Sequence, residues 1–360
     1  MSWPSTQLQA MTNGTYFVYK LFNSVGNLFL ALNRMLPVLR FLEMGIVLDS
    51  QKSFPGFRQA FEPGVIMWEI DLAPLKQRAL EIEQGGNING FHALTLVDGL
   101  IVLSDAQLEL IISTMGISAS SLSELVSIAL RPERHPRLRS LFSKIHSSIG
   151  GQRRARPEPC TWNMFLRRSP FLLESLELHS PWLSRNGGLV PERRPAKYVG
   201  WHIRTPGGES NASYVPAVHR YIIQESPEVV CPAFESATQV ARTSCQEFAT
   251  HDMAVYISSN SKSLARSCIE ALAEHETQGG QVDLGLGPQD AHTRFSLNPN
   301  ASMNAFLDYV FLLDATAIIR SGSSFSGTIV TMRGFVCQPT RVTELPERQL
   351  LACAPKNSSC

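Results

Sequence analysis

The chain has 360 residues, 44% of them hydrophobic and 18% charged, enough apolar material for a large core and a length that suggests two domains of ordinary size. Its formal net charge of +1 excludes a global pull toward nucleic acid or an anionic membrane, so electrostatic recognition has to be local.

In chain order, residues 1–14 (MSWPSTQLQAMTNG) have neither a basic start nor an apolar run, so no signal peptide or anchor is expected from them. Phe17-Val18-Tyr19 reads as a short strand, Asn23 to Asn27 as a turn, Leu28 to Arg40 as a helix and Gly45 to Asp49 as a second strand. That is a βαβ unit. The apolar stretch from Leu21 to Leu42 is interrupted by Asn23, Asn27, Asn33, Arg34, Pro37 and Arg40, so it predicts an amphipathic helix and not a membrane span. Gly26-Asn27 falls where a strand feeds a helix, a place whose free N–H groups favour anions. Asn27 is either a helix cap or a ligand contact.

Helical spacing runs from Leu108 to Leu130. From Arg131 to Arg168 basic side chains face only Glu133 and Glu158, which predicts a solvated helix and loop joining two domains, or a patch for an anionic acceptor or membrane surface. The division is placed at 1–190 and 191–360, near Pro191 to Pro195. Beyond it come a strand at Val199, helices at 215–224 and 235–249, a strand at 254–258 and a helix at 263–275. A Gly-rich loop at 279–287, a helix at 303–312, a strand at 316–320 and a helix at 324–332 complete the reading. The alternation implies a parallel, doubly wound sheet. Seven cysteines without a C-x-x-C pair argue against zinc, and sequons at Asn13, Asn211, Asn300 and Asn357 fit a secreted chain. Cytosolic and luminal locations both remain open on these residues.

Three C-terminal segments carry the chemistry. Tyr198 to Ile203 alternates as a strand, and Pro206-Gly207-Gly208 stops it. Arg204 therefore lies at the C-terminal edge of a strand, where open α/β sheets bind ligands, with a planar fork suited to phosphate. Val255-Tyr256-Ile257 runs into Ser258-Ser259-Asn260-Ser261, small polar residues able to cap a helix or to bond a base or ribose, with Asn260 and Ser261 the chosen contacts. Thr316 to Arg320 runs into Ser321-Gly322-Ser323-Ser324-Phe325-Ser326. This turn comes close to a Gly-x-Ser-x-Gly nucleophile elbow, but Ser326 replaces the last Gly and no His follows Ser324. Hydroxyls and amides at a helix start instead make a phosphate cradle.

In this order, His-x-Arg, a Val-Tyr-Ile strand with a small polar exit and an apolar strand followed by Ser-x-Ser-Ser-Phe resemble the C-terminal motifs of the α1,6-, α1,2- and protein O-fucosyltransferases. Val25-Gly26-Asn27 likewise resembles the Gly-x-Gly-Asn loop of that superfamily's first domain. The resemblance implies an α/β fold of the GT-B type, two Rossmann-like domains facing a central cleft, and inverting, metal-independent transfer of fucose from GDP-fucose to a glycan or glycoprotein. It also implies a secretory-pathway location. No cofactor beyond the donor substrate and no nucleic-acid partner are expected.

By position, Arg204 would stabilise the leaving diphosphate, His202 would support its loop, and Asn260 and Ser261 would stand where guanine or ribose is read. Ser323, Ser324 and Phe325 would hold the pyrophosphate, with Gly26 and Asn27 reaching it from the first domain. Glu209, in the loop after Arg204, is the candidate general base, and the alternative for it is a solvated loop side chain. The chain departs from the family pattern at Thr205, where many members have a second Arg, at Gly207, where Asp is frequent, and at Asn260 or Ser261, where many have a base-reading Asp. A catalytically degenerate protein that binds nucleotide sugar or glycan is the alternative these departures raise.

Overall fold

Tyr16-Phe17-Val18-Tyr19 puts alternate side chains on opposite faces of a strand, and every one of them is buried, so the strand they form must be covered on both sides. The computed structural model describes residues 3–21, 25–49, 56–85, 88–96, 99–116, 138–149, 159–179, 188–189, 198–203 and 254–259. It further describes Ala265, Cys268, Glu270 and residues 282–284, 299–320, 323–333 and 350–353. The fold is mixed α/β.

In the first half, β1 (Tyr16–Lys20) leads into α2 (Val25–Phe41) and β2 (Gly45–Asp49), preceded by α1 (Trp3–Asn13). Strands β1 and β2 pair in parallel, as the βαβ reading expects. The helix starts earlier than expected, however. Val25, Gly26 and Asn27 form its first turn, because Val25, Leu28 and Phe29 all bury into the core there.

Beyond this βαβ unit the sheet is mixed. After α3 (Phe57–Ala60), β3 (Phe61–Pro63) and α4 (Leu72–Gly85) come β4 (Phe91–Leu96) and β5 (Gly99–Ser104), an antiparallel hairpin. Strand β5 also runs antiparallel to β1, and the order is β2-β1-β5-β4. Alternation assigns its faces. Tyr16, Val18, Val47, Leu100 and Val102 pack with Leu72, Ala79 and Ile82 of α4. Phe17, Tyr19, Ile46, Leu48, Ile101 and Leu103 join a larger core with α2 and α5 (Asp105–Met115). A Ser104–Gln107 capping box opens α5 and Gly116 in the left-handed region closes it, so the helical pattern expected to reach Leu130 ends its described course there.

Within the basic region lie α6 (Leu138–Ile149), α7 (Pro159–Phe165) and β6 (Leu166–Arg168), followed by α8 (Pro170–His179). Helix α6 buries Phe142 and Ile145 in the larger core and exposes Lys144. Strand β6 pairs with β3 and alternates Leu166 in, Arg167 out, Arg168 in. The solvated reading therefore fails at Arg168, whose guanidinium is fully buried against the equally buried Asp314. Nη1 donates to Asp314 Oδ2 at 2.7 Å, Nη2 donates to Oδ1, and Nη2 also donates to the Leu189 carbonyl at 3.0 Å.

The second half centres on a sheet of order β11-β10-β7-β8-β9. Its strands are β7 (Tyr198–Ile203), β8 (Ala254–Ser259), β9 (Val282–Leu284), β10 (Ala317–Arg320) and β11 (Leu350–Cys353). The first four are parallel and β11 is an antiparallel edge. Strand β9 corrects the Gly-rich loop expected at 279–287: Val282 to Leu284 gain a ladder partner in β8 that local sequence does not announce. Of the helix expected at 263–275, Ala265, Cys268 and Glu270 are described and helical. The helices expected at 215–224 and 235–249, and the proposed boundary at 190–191, lie outside the described residues.

Helices α9 (Pro299–Asp314) and α10 (Ser324–Arg333) cover one face of this sheet. The Arg333 guanidinium donates to the Leu313 and Ala315 carbonyls, satisfying the end of α9. The core is continuous across the two halves. Phe29 of α2 stacks on Tyr309 of α9 at 4.3 Å, and Phe61 and Phe57 meet Phe306 edge-on.

Candidate functional site

Three expected segments meet at the C-terminal edge of the parallel strands. Strand β7 delivers His202, and Ser323 caps α10, its Oγ accepting from the Phe325 N–H at 3.2 Å. That is a regular N-cap. The first turn of α10 is held against β7 by its side chains. Phe325 stacks on the His202 ring at 5.1 Å and meets Tyr309 edge-on at 5.2 Å. His202 Nδ1 lies 3.1 Å from Ser326 Oγ.

The first turn of α2 arrives at the same place. A Cβ on Gly26 would lie 2.5 Å from both the Cα and N of Phe325 and 2.9 Å from the carbonyl carbon of Ser324. Only glycine allows that approach. Asn27, one residue on, is half-buried inside the helix's first turn. It is therefore not the cap expected of it, and its amide makes no side-chain hydrogen bond among the described residues.

Two helix starts thus abut, and neither has an acidic residue in its first turn. Each carries about half a positive charge from its peptide dipoles. Like ends in contact repel, and an anion between or beside them removes the repulsion. Besides Gly26, Asn27, His202, Ser323, Ser324 and Phe325, the sheet edge holds Arg320 at the end of β10, which sequence reasoning did not select. Its place at the end of an apolar run, just before the Ser-Gly-Ser-Ser turn, was the available signal.

Not every expected hydroxyl is free for a ligand. Ser258 donates to Asp308 Oδ2 at 2.8 Å and Tyr256 donates to Oδ1, so the exit of β8 is partly used to satisfy a buried carboxylate. Arg204, Glu209, Asn260 and Ser261 lie outside the described residues.

No family model matches the chain, and no curated protein matches it in sequence. Among solved structures it is similar to an Arabidopsis thaliana FUT1 mutant in complex with GDP, with a TM-score of 0.46 and 11% identity, covering 92% of this chain and 75% of that one.

The serine-elbow question has a structural answer. The serine that His202 reaches is Ser326, which is fully buried, so no substrate carbonyl can approach its hydroxyl. The pair is a packing contact. Ser326→Ala removes that partner from a buried imidazole and should lower stability by about 1–3 kcal/mol, read as a shift in the urea midpoint at neutral pH. A midpoint unchanged from the wild type would show that His202 does not depend on the contact. Among the described residues no group of three His, Cys, Asp or Glu side chains is gathered as a metal site requires, and no helix is long and apolar enough to cross a membrane.

Proposed function

We propose that the chain is a glycosyltransferase that takes its sugar from a nucleoside diphosphate, with GDP-fucose the donor implied by its motifs. The observation that carries this reading is the meeting of two acid-free helix starts at His202, on the ligand-binding edge of a parallel sheet. A diphosphate leaving group needs preorganised positive charge at that kind of place, and backbone amides with arginine supply it without a metal.

In the proposed reaction an acceptor hydroxyl oxygen attacks C1 of the sugar from the face opposite the diphosphate. The C1–O bond to the β-phosphate breaks, its electron pair leaves with GDP, and Glu209 takes the acceptor proton. Configuration inverts. Arg204, two residues beyond His202, meets the charge growing on the diphosphate, and Asn260 and Ser261 contact the base or ribose. The halves 1–190 and 191–360 would be the two Rossmann-like domains of a GT-B enzyme, with a glycan or glycoprotein acceptor held by the first. Cys160 and Cys268 are each in a disulfide, which together with the sequons supports a secretory-pathway location.

Calorimetric titration with GDP and a screen of nucleotide-sugar hydrolysis test the reading. The wild type should bind GDP and hydrolyse one donor, and Arg204→Ala should lose about 100-fold or more in turnover while its circular dichroism is unchanged. Failure to bind GDP would sink the proposal. Binding without turnover of any donor would instead favour the degenerate binding protein that Thr205, Gly207 and Asn260 suggest.

A further inference from the structure

Arg320 ends β10 in register with His202 of the neighbouring parallel strand. Both side chains leave the sheet on the face covered by α9 and α10. Nη1 of Arg320 lies 3.5 Å from where a Cβ would stand on Gly327, in the first turn of α10. The guanidinium is half-buried, and among the described residues it makes no hydrogen bond and no ion pair. Burial pulls its pKa below the ordinary arginine value, and among the described residues no acidic neighbour offsets that effect.

Among the described residues two further arginines are buried, and terminal nitrogens of each have partners. Arg168 holds a carboxylate, and Arg333 holds two carbonyl oxygens. Desolvating a cation without a partner is unfavourable, and here it sits beside the positive start of α10, whose first turn contains no acid. Nothing in the described fold uses this charge. A doubly charged ligand at the sheet edge would use it.

We infer that Arg320 supplies the side-chain charge that meets a phosphate of the donor's diphosphate, on the opposite side of His202's strand from β8. The inference rests on the nucleotide-sugar reading above and adds to it a residue that the motif resemblance does not contain. In this arrangement the diphosphate is held by Arg320 from β10 and by the first turn of α10, so that the cation is in place before the donor arrives. The folded protein carries an electrostatic cost that ligand binding relieves.

The test uses full-length wild type, Arg320→Met and Arg320→Lys, with GDP, guanosine and inorganic pyrophosphate as calorimetric probes and thermal unfolding of the ligand-free proteins alongside. Arg320→Met should weaken GDP and pyrophosphate about 10- to 100-fold, the loss of one hydrogen-bonded charge, and leave guanosine unchanged. Its ligand-free melting temperature should equal or exceed that of the wild type, because an unpaired desolvated cation has gone. Arg320→Lys should fall between the two. Wild-type affinity of Arg320→Met for GDP would overturn the inference and leave the nucleotide-sugar reading intact. A lower melting temperature with equal losses for all three probes would overturn it in favour of a packing role. Arg320-dependent binding of pyrophosphate without binding of GDP would uphold the inference and sink the nucleotide-sugar reading. Binding of neither by the wild type would sink both.

Discussion

Arg168→Ala should cost the folded protein about 3–5 kcal/mol, because it strands the Asp314 carboxylate, fully buried, without the guanidinium that neutralises it. The pair joins β6 in one half of the chain to the end of α9 in the other, and its fork spans both carboxylate oxygens. Lysine cannot reproduce that geometry, so Arg168→Lys should be almost as harmful. The double replacement Arg168→Met with Asp314→Leu removes both charges and should regain most of the loss, since a buried ion pair often contributes little over apolar side chains of similar volume. Burial, then the Asp314 carboxylate, hold the Tyr198 hydroxyl well above its ordinary value. It therefore remains a donor to the Phe311 carbonyl beside the pair. Urea unfolding of the four proteins measures these effects. An Arg168→Ala protein within 1 kcal/mol of the wild type would show that the buried contact does not hold the halves together.

Gly26→Ala tests the meeting of the two helix starts, and here the sign of the effect decides. In an unobstructed helix the change should stabilise by up to about 1 kcal/mol, because alanine is the better helix former. At Gly26 the new Cβ would stand 2.5 Å from the backbone of Phe325, and backbone cannot swing aside as a side chain can. Overpacking of this kind costs about 1–3 kcal/mol. A net loss is therefore expected, together with weaker GDP binding as the first turns of α2 and α10 are forced apart. Gly327→Ala is the matched control: its Cβ would meet Arg320 at an ordinary 3.5 Å, so it should be neutral or stabilising. Equal stabilisation by both changes would mean that the helix starts do not touch in solution.

Much of this framework was legible in the sequence because it is locally encoded. The strands at Phe17, Gly45, Val199, Val255 and Ala317 are β-branched or aromatic runs, and each ends at small or polar residues that break the pattern. The meeting of His202 and Ser323 was expected from placing those exits on one sheet edge, and the arrival of Gly26 was implied by the resemblance of Val25-Gly26-Asn27 to the family's entry loop. What escaped notice depends on tertiary context. The hairpin of β4 and β5 had a local signal, Asp98-Gly99 between two apolar runs, which the reading in chain order did not take up. Arg168 looked like one more member of a basic run, since only its register in β6 and the arrival of Asp314 turn it inward. Strand β9, three residues long, exists because β8 offers it an edge. Arg320 was hidden by the opposite circumstance: in sequence it only closes an apolar strand, and what distinguishes it is the lack of a partner among the described residues.

Gln7 gives the first sheet a boundary. Its amide nitrogen donates to the Ile46 carbonyl at 2.9 Å and to that of Met67 at 3.1 Å, while its amide oxygen accepts from the Ile46 N–H at 2.8 Å. The Leu48 N–H is taken by the Trp68 carbonyl at 3.0 Å. Strand β2 is the outer member of its sheet and is buried along its whole length, with Ile46, Val47 and Leu48 in succession, the kind of edge that recruits a strand from another chain and seeds aggregation. A single glutamine side chain occupies both backbone groups of Ile46 and a tryptophan carbonyl takes the Leu48 N–H, so three of the outward-facing groups a second molecule would need are already engaged.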